Sequence, residues 1–349
     1  MPIIEFSPAR IAFRMARPAI SGVVRPRLVL VWFALAVVTF LVFCVSVGAG
    51  DFPIPLNEVV PALWGDGEPG TLFVMRELRL PRALAGLLTG AAFGLAGALF
   101  QAVSRNPLAS PDMLGITQGA GAAVAAGVVA GFGAGLGTQA LGLAGALAAG
   151  IAVYLLAWRR GASGYRIILV GIGVSWMCVS LTSYLLSRAQ LHQAQVVLGW
   201  LVGNLGNRGW EHVRPTLAGV AVLLPVVLLL TRLQRTLHLG DEVAAGLGAP
   251  VQRTRMALLL CGIALTALAT AAAGPILFVA LAAPQIARRL ARAGAPPLTA
   301  SALTGATLVL VADLISQRVM TDLTLPVGVV TGVLGAPVLL WQLARTGRR

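Results

Sequence analysis

Residues 28–47 form a run of twenty positions without one charged side chain, and comparable apolar runs recur to the C-terminus. The breaks between them hold arginine, proline and other polar or turn residues. Each run is long enough to cross roughly 30 Å of hydrocarbon as a helix. Reading helices between the breaks predicts spans near 28–49, 83–103, 112–130, 139–158, 166–187, 215–231, 254–273, 275–290, 299–319 and 326–343. The expected fold is an all-α membrane protein with about ten transmembrane helices: a cytoplasmic N-terminal segment over 1–27, one transmembrane domain over 28–343 and a cytoplasmic tail over 344–349. A secretory signal fits the N-terminus poorly, because the apolar run exceeds an h-region and a second span follows.

Composition agrees. With 58% of 349 residues apolar and 11% charged, the chain has too few polar side chains to cover a soluble surface. Its 26 basic residues are all arginine. That excludes a Walker A loop, which needs a lysine on the phosphates, and lysine Schiff-base chemistry. No cofactor and no enzymatic activity is implied. The net charge of +14 does not indicate nucleic acid, because the arginines sit in short clusters between apolar runs, as cytoplasmic anchors do. Nineteen of them fall at the two termini and in alternate connections, against seven in the remaining connections. The richer side reads as cytoplasmic, which puts both termini inside a multi-pass protein of the cytoplasmic (inner) membrane.

Cys44, Cys178 and Cys261 lie in apolar runs without CxxC spacing and read as small core residues. His192, His212 and His238 are far apart and lack HExxH spacing, so no metal site is indicated. Asp313 is the one acid well inside a predicted span, whereas ion-coupled carriers and proton pumps normally embed several ionisable groups. The chain therefore reads as a pathway whose energy source lies elsewhere. Glycines recur four apart at Gly86, Gly90 and Gly94 and at Gly127, Gly131 and Gly135, which permits close helix approach with or without a role in transport.

Three connections hold more polar and turn residues than a link requires. The first, 51–82, carries Arg76, Arg79 and Arg82 with five of the twelve acids, and suits either a protein partner or anchoring among lipid headgroups. The second, 232–255, contains a short helix entered through Gly240, Asp241 and Glu242 and stopped by Gly248 and Pro250, with Leu239, Val243, Ala244 and Leu247 as its apolar face. Such a helix rests on the bilayer surface or on another protein. The third is a pair of breaks, RNPLASPD over 105–112 and AAAGPILFVALAAPQ over 271–285, where Asn106, Pro107, Gly274 and Pro275 interrupt helical bonding. Freed backbone groups are tolerated in a bilayer only against protein or a wet cavity, so each break is a gate or a tight hairpin.

The segments RLPRALAGLLTGAAFGLAGALFQAVSRNPLASPDMLG (79–115), LHLGDEVAAGLG (237–248), AGPILFVALAAPQIARRL (273–290) and LPVGVVTGVLGAP (325–337) together resemble, in order, the iron-siderophore and vitamin B12 permease family of ATP-binding-cassette importers. The resemblance implies a ten-helix subunit in which helices two to five and seven to ten form an internal repeat. It further implies a second permease subunit, identical or paralogous, two cytoplasmic ATPases that perform the hydrolysis, and an extracytoplasmic substrate-binding protein. By the same resemblance Leu239, Gly240, Asp241, Glu242, Leu247 and Gly248 contact the ATPase, Arg79, Arg82 and Arg318 dock the binding protein, and Ser163, Gly164 and Tyr165 close the inner gate. The stretch 155–177 looks more like ferric-enterobactin permeases, which implies a catecholate siderophore as substrate; cobalamin or haem import is the alternative within the family, and an ion-coupled secondary transporter the alternative outside it. Gln285 and Thr324 depart from the family pattern, so no substrate role passes to them, and Arg318 stands one residue off the spacing that the third docking arginine has in some members.

Overall fold

The computed structural model describes the chain except residues 1–2, 8–9, 16–19, 49–60, 62–64, 158–163, 238–239, 320–324 and 347–349, and except the side chains of 3–24, 133–136, 164–165, 232 and 338–346. Twelve helices among the described residues carry the fold: α1 (Pro26–Gly48), α2 (Pro69–Ser104), α3 (Ile116–Val129), α4 (Gly133–Ala157), α5 (Gly164–Arg188), α6 (Leu191–Leu201), α7 (Trp210–Leu237), α8 (Asp241–Gly246), α9 (Val251–Ala273), α10 (Val279–Leu290), α11 (Leu298–Arg318) and α12 (Val327–Thr346). Every predicted span coincides with a helix, and the membrane part is all-α as expected. Seven of these helices are long and apolar enough to cross a bilayer, while α3, α10 and the described part of α12 are shorter. Two elements were not anticipated. The N-terminal segment folds into three antiparallel strands, β1 (Ile3–Ser7), β2 (Arg10–Met15) and β3 (Ile20–Val24). Between α5 and α7 lies α6, opened by a reciprocal cap in which Gln190 and Gln193 satisfy each other's backbone donors.

Two helices form the axis of the bundle. In the apolar windows of α2 and α9, 83% and 72% of residues are buried, against 6% for α1. Lipid is as apolar as leucine, so what draws helices together here is close packing and interhelical hydrogen bonding. The glycines of α2 supply the closeness. A Cβ at Gly90 would lie 2.4 Å from the Gly305 carbonyl oxygen of α11, one at Gly94 2.2 Å from that of Ser301, and one at Gly97 1.7 Å from that of Ala280 on α10. Of the second glycine stripe, Gly127 meets the Leu141 side chain, whereas Gly131 adopts φ +81 and faces open space just beyond α3. Cys261 is buried, and Cys44 and Cys178 are half-buried free thiols.

The order of elements repeats. The long buried α2 is followed by an irregular turn, a 14-residue α3 and two helices of 25 residues. The buried 23-residue α9 is likewise followed by an irregular stretch, a 12-residue α10 and helices of 21 and 20 residues. Short helices beside broken backbone, at matching places in two halves, are the arrangement of repeat-built transporters.

Candidate functional site

At one end of the bundle α8 stands between α7 and α9. Gly240, at φ +105, opens it, and Gly248, at φ +79, closes it. Neither glycine has a neighbour within 4 Å of its missing Cβ, so the backbone conformation alone requires them. The expected apolar face divides: Ala244 is fully buried, while Val243 and Leu247, one turn apart, are 52% and 66% exposed. Glu242 is also exposed. Asp241 instead turns inward. Arg255, in the first turns of α9, donates from Nη2 to both of its oxygens at 3.0 and 2.9 Å. Arg105, just beyond α2, makes a second short contact from its Nη2 to Oδ1 and donates to the Leu237 carbonyl at 2.8 Å. These hydrogen bonds from Arg255, reinforced by the charges of both guanidinium groups, hold the Asp241 carboxyl below its usual range. Leu239 lies outside the described residues.

The opposite end of α2 carries the other arginines. Residues Val74–Arg79 form a π turn, closed by the Leu80 amide donating to Met75, directly before Pro81. Proline lacks an amide proton and crowds the preceding turn, and the wider π turn absorbs this without breaking the helix. Arg82 lies on α2 facing α11. Its Nε donates to both oxygens of Asp313 at 3.2 and 3.1 Å, its Nη2 donates to Oδ1 at 2.8 Å, and Gln317 donates to Oδ2 at 2.7 Å. The Asp313 side chain is 0% exposed and that of Arg82 24%. Arg79 Nη1 donates to the Gly48 carbonyl at 3.0 Å and so caps α1. Arg318 is exposed at the end of α11. Two of the three arginines assigned to docking thus serve the bundle's own packing, a pairing no local sequence signal announces because Arg82 and Asp313 are 231 residues apart.

The two breaks are built differently. At the first, Arg105 takes a left-handed φ of +53, Asn106 accepts the Leu108 amide at 2.9 Å, and the Pro107 carbonyl accepts Gln285 at 3.2 Å. Gln285 also bonds Gln101 on α2, which donates to the Leu281 carbonyl at 3.1 Å, so Gln285 is a buried tie between α2, the turn and α10. At the second, Gly274 (φ +79) and Pro275 meet the 202–205 loop and the start of α12: the Asn204 amide donates to Ala273 at 2.8 Å and the Gly328 amide to Gly203 at 3.0 Å. A Cβ at Gly203 would lie 2.2 Å from the Pro275 carbonyl oxygen, and one at Gly328 1.8 Å from that of Val202. Gly274 and Pro275 therefore sit in a tight junction of three backbone segments. Ser163 and the side chain of Tyr165 lie outside the described residues, and Gly164 begins α5.

A bundle of apolar helices in two similarly built halves, with broken backbone sealed inside protein and a short helix projecting an apolar edge from one end, defines a polytopic permease. Comparison with known proteins makes this specific: the model of the FecCD transport family matches residues 37–345, and the chain belongs to that family. It is 39% identical over 301 residues to the ferric enterobactin transport system permease protein FepG of Escherichia coli (strain K12), covering 86% of this chain and 91% of the relative. It is also 39% identical over 308 residues to the achromobactin transport system permease protein CbrC of Dickeya dadantii (strain 3937), covering 87% and 88%. A solved metal-chelate type ABC transporter in an inward-facing conformation shares the fold, with a TM-score of 0.79 at 23% identity over 91% of this chain and 99% of that one.

Proposed function

We propose that this chain is the permease subunit of an ATP-binding-cassette importer that carries a ferric siderophore across the cytoplasmic membrane, with both termini inside. The observation that carries the reading is α8, whose exposed Val243 and Leu247 offer an apolar edge to a separate subunit from a chain that has no lysine for a phosphate loop of its own. Membership of the FecCD family supports the importer class. The arginine bias supports the orientation, with the α8 end cytoplasmic. The Arg82 end then receives the substrate-loaded binding protein, with Arg318 among its exposed arginines.

The cavities beside α2 and α10 are lined mostly by apolar residues and are only about 20 and 40 Å³, room for little more than a water molecule. This supports a pathway formed between two permease subunits rather than inside one. Among siderophores a catecholate is the first to test, on the likeness to the enterobactin permease, although an equally similar relative transports achromobactin.

The test is reconstitution in vesicles with a second permease subunit, the ATPase and the binding protein. ATP-dependent uptake of a ferric catecholate, but not of the free ligand, is expected. Leu247→Asp should release the ATPase from the complex, and Arg318→Glu should slow docking at low ionic strength and much less at high, as rim charges do. Uptake that persists without the ATPase would overturn the proposal.

A further inference from the structure

Among the features that the transport reading leaves unused, the ion-pair cluster beneath α8 is the most developed. Asp241 is the first residue of α8, and its carboxylate is shared between two arginines from the two most buried helices of the bundle. Arg105 ends α2, the first helix of one half; Arg255 lies near the start of α9, the first helix of the other. Arg105 also holds the Leu237 carbonyl, the last turn of α7. One carboxylate thereby joins the projecting helix to three bundle helices. Apart from it, α8 rests on the bundle chiefly through Ala244, the sole residue of that helix that is buried.

We propose that the Arg105–Asp241–Arg255 cluster is the positioning device through which movement of α8 enters the two halves of the permease, Asp241 and Arg105 being its decisive members. The inference rests on the reading of α8 as the ATPase contact. A guanidinium fork on a carboxylate fixes direction as well as distance, so a displacement of α8 pulls both axial helices together instead of tilting a free loop. The backbone favours the same arrangement. Arg105 occupies a left-handed conformation that is uncommon outside glycine, asparagine and aspartate, and this conformation turns the chain out of α2 with the Arg105 side chain at α8. From Arg105, α2 continues roughly 35 Å to Arg82 at 1.5 Å per residue, where a second ion pair with Asp313 ties it to α11. One rigid helix thus has a fixed side-chain joint at each end.

The Arg105 arm of the cluster is well placed to transmit force and badly placed to stabilise the fold, because the Arg105 and Asp241 side chains are 42% and 46% exposed and exposed ion pairs contribute little to stability; the Arg255 arm, whose arginine is 9% exposed, is structural as well. The two roles therefore separate experimentally. In the full reconstituted complex, Arg105→Gln should leave subunit assembly, thermal midpoint and basal ATP hydrolysis close to wild type, whereas Asp241→Asn, which also strips the 9%-exposed Arg255 of its carboxylate, should lower the thermal midpoint. Substrate transported per ATP hydrolysed should fall at least fivefold in each. The double variant should be no worse than either single one, since both break the same joint.

Unchanged transport per ATP in both single variants, while Leu247→Asp still releases the ATPase, would overturn this inference and leave the ATPase contact standing. If Leu247→Asp left the complex whole and coupled, the underlying reading would fail instead. Lower thermal midpoints with unaltered coupling would make the cluster merely structural and would equally refute the proposal.

Discussion

At the scale of the residue, the Arg82–Asp313 pair sets what α2 can tolerate. A carboxylate with no exposed surface needs its partner, and removing one member of a buried pair leaves an uncompensated charge that costs about 3–5 kcal/mol. The one-quarter exposure of Arg82 and the remaining bond from Gln317 argue for the lower part of that range. Arg82→Gln should therefore lower the thermal midpoint of the purified protein by several degrees, and Arg82→Leu with Asp313→Leu should restore most of the loss. An unshifted midpoint for Arg82→Gln would mean that the arginine is free to serve a partner, as its position beside Arg79 first suggests. Because Arg82 is engaged in this way, Arg318 is the cleaner probe of docking.

At the scale of the element, the fold depends on how closely α2 can approach α10 and α11. Gly97 leaves no room for even one methyl group, since its Cβ would overlap the backbone of Ala280, which cannot rotate aside. Gly173 on α5 and Gly199 on α6 have nothing within 4 Å. Alanine at an open helical position is favoured over glycine by about 1 kcal/mol. Gly97→Ala should thus abolish monodisperse protein after extraction, whereas Gly173→Ala and Gly199→Ala should match or exceed wild-type yield. Equal yields for all three, measured by size-exclusion chromatography, would contradict the packing. The same reasoning explains why α3 and α10 can be short: their first residues, Ile116 and Val279, are buried, so the broken backbone before each helix meets protein and not lipid.

At the scale of the whole molecule, one subunit leaves long faces open. α3 is largely enclosed by its own chain, while α5 and the described part of α12 are not. On α5, Ile172, Trp176 and Met177 are 40%, 67% and 73% exposed, and Gly115 and Gly171 bring its other side against the turn before α3. A path wide enough for a chelate follows if two such faces oppose each other across a dimer. In a chain with Cys44, Cys178 and Cys261 replaced by alanine, Met177→Cys should react with membrane-impermeant thiol reagents. Leu229→Cys on α7, although 78% exposed, should not, because that face meets lipid. The reverse pattern would move the pathway to α7.

Much of this was legible along the chain. Runs of about twenty apolar residues leave a chain no option in a bilayer but helices, because each must satisfy its own backbone bonds; a helix stands at each of the ten predicted places, seven of them long and apolar enough to cross. Gly240 and Gly248 were visible as the bounds of α8 because turn chemistry is local. The split of its apolar face was not, since only contact with the bundle decides that Ala244 goes in and Leu247 stays out. The same holds for the partners of the charges. Sequence position puts Arg79 and Arg82 side by side before a span and Asp241 at the head of a helix, but Coulomb and hydrogen-bond energies depend on separation in space. Helices brought together by glycines decided that Arg82 meets Asp313 and that Asp241 meets Arg105 and Arg255.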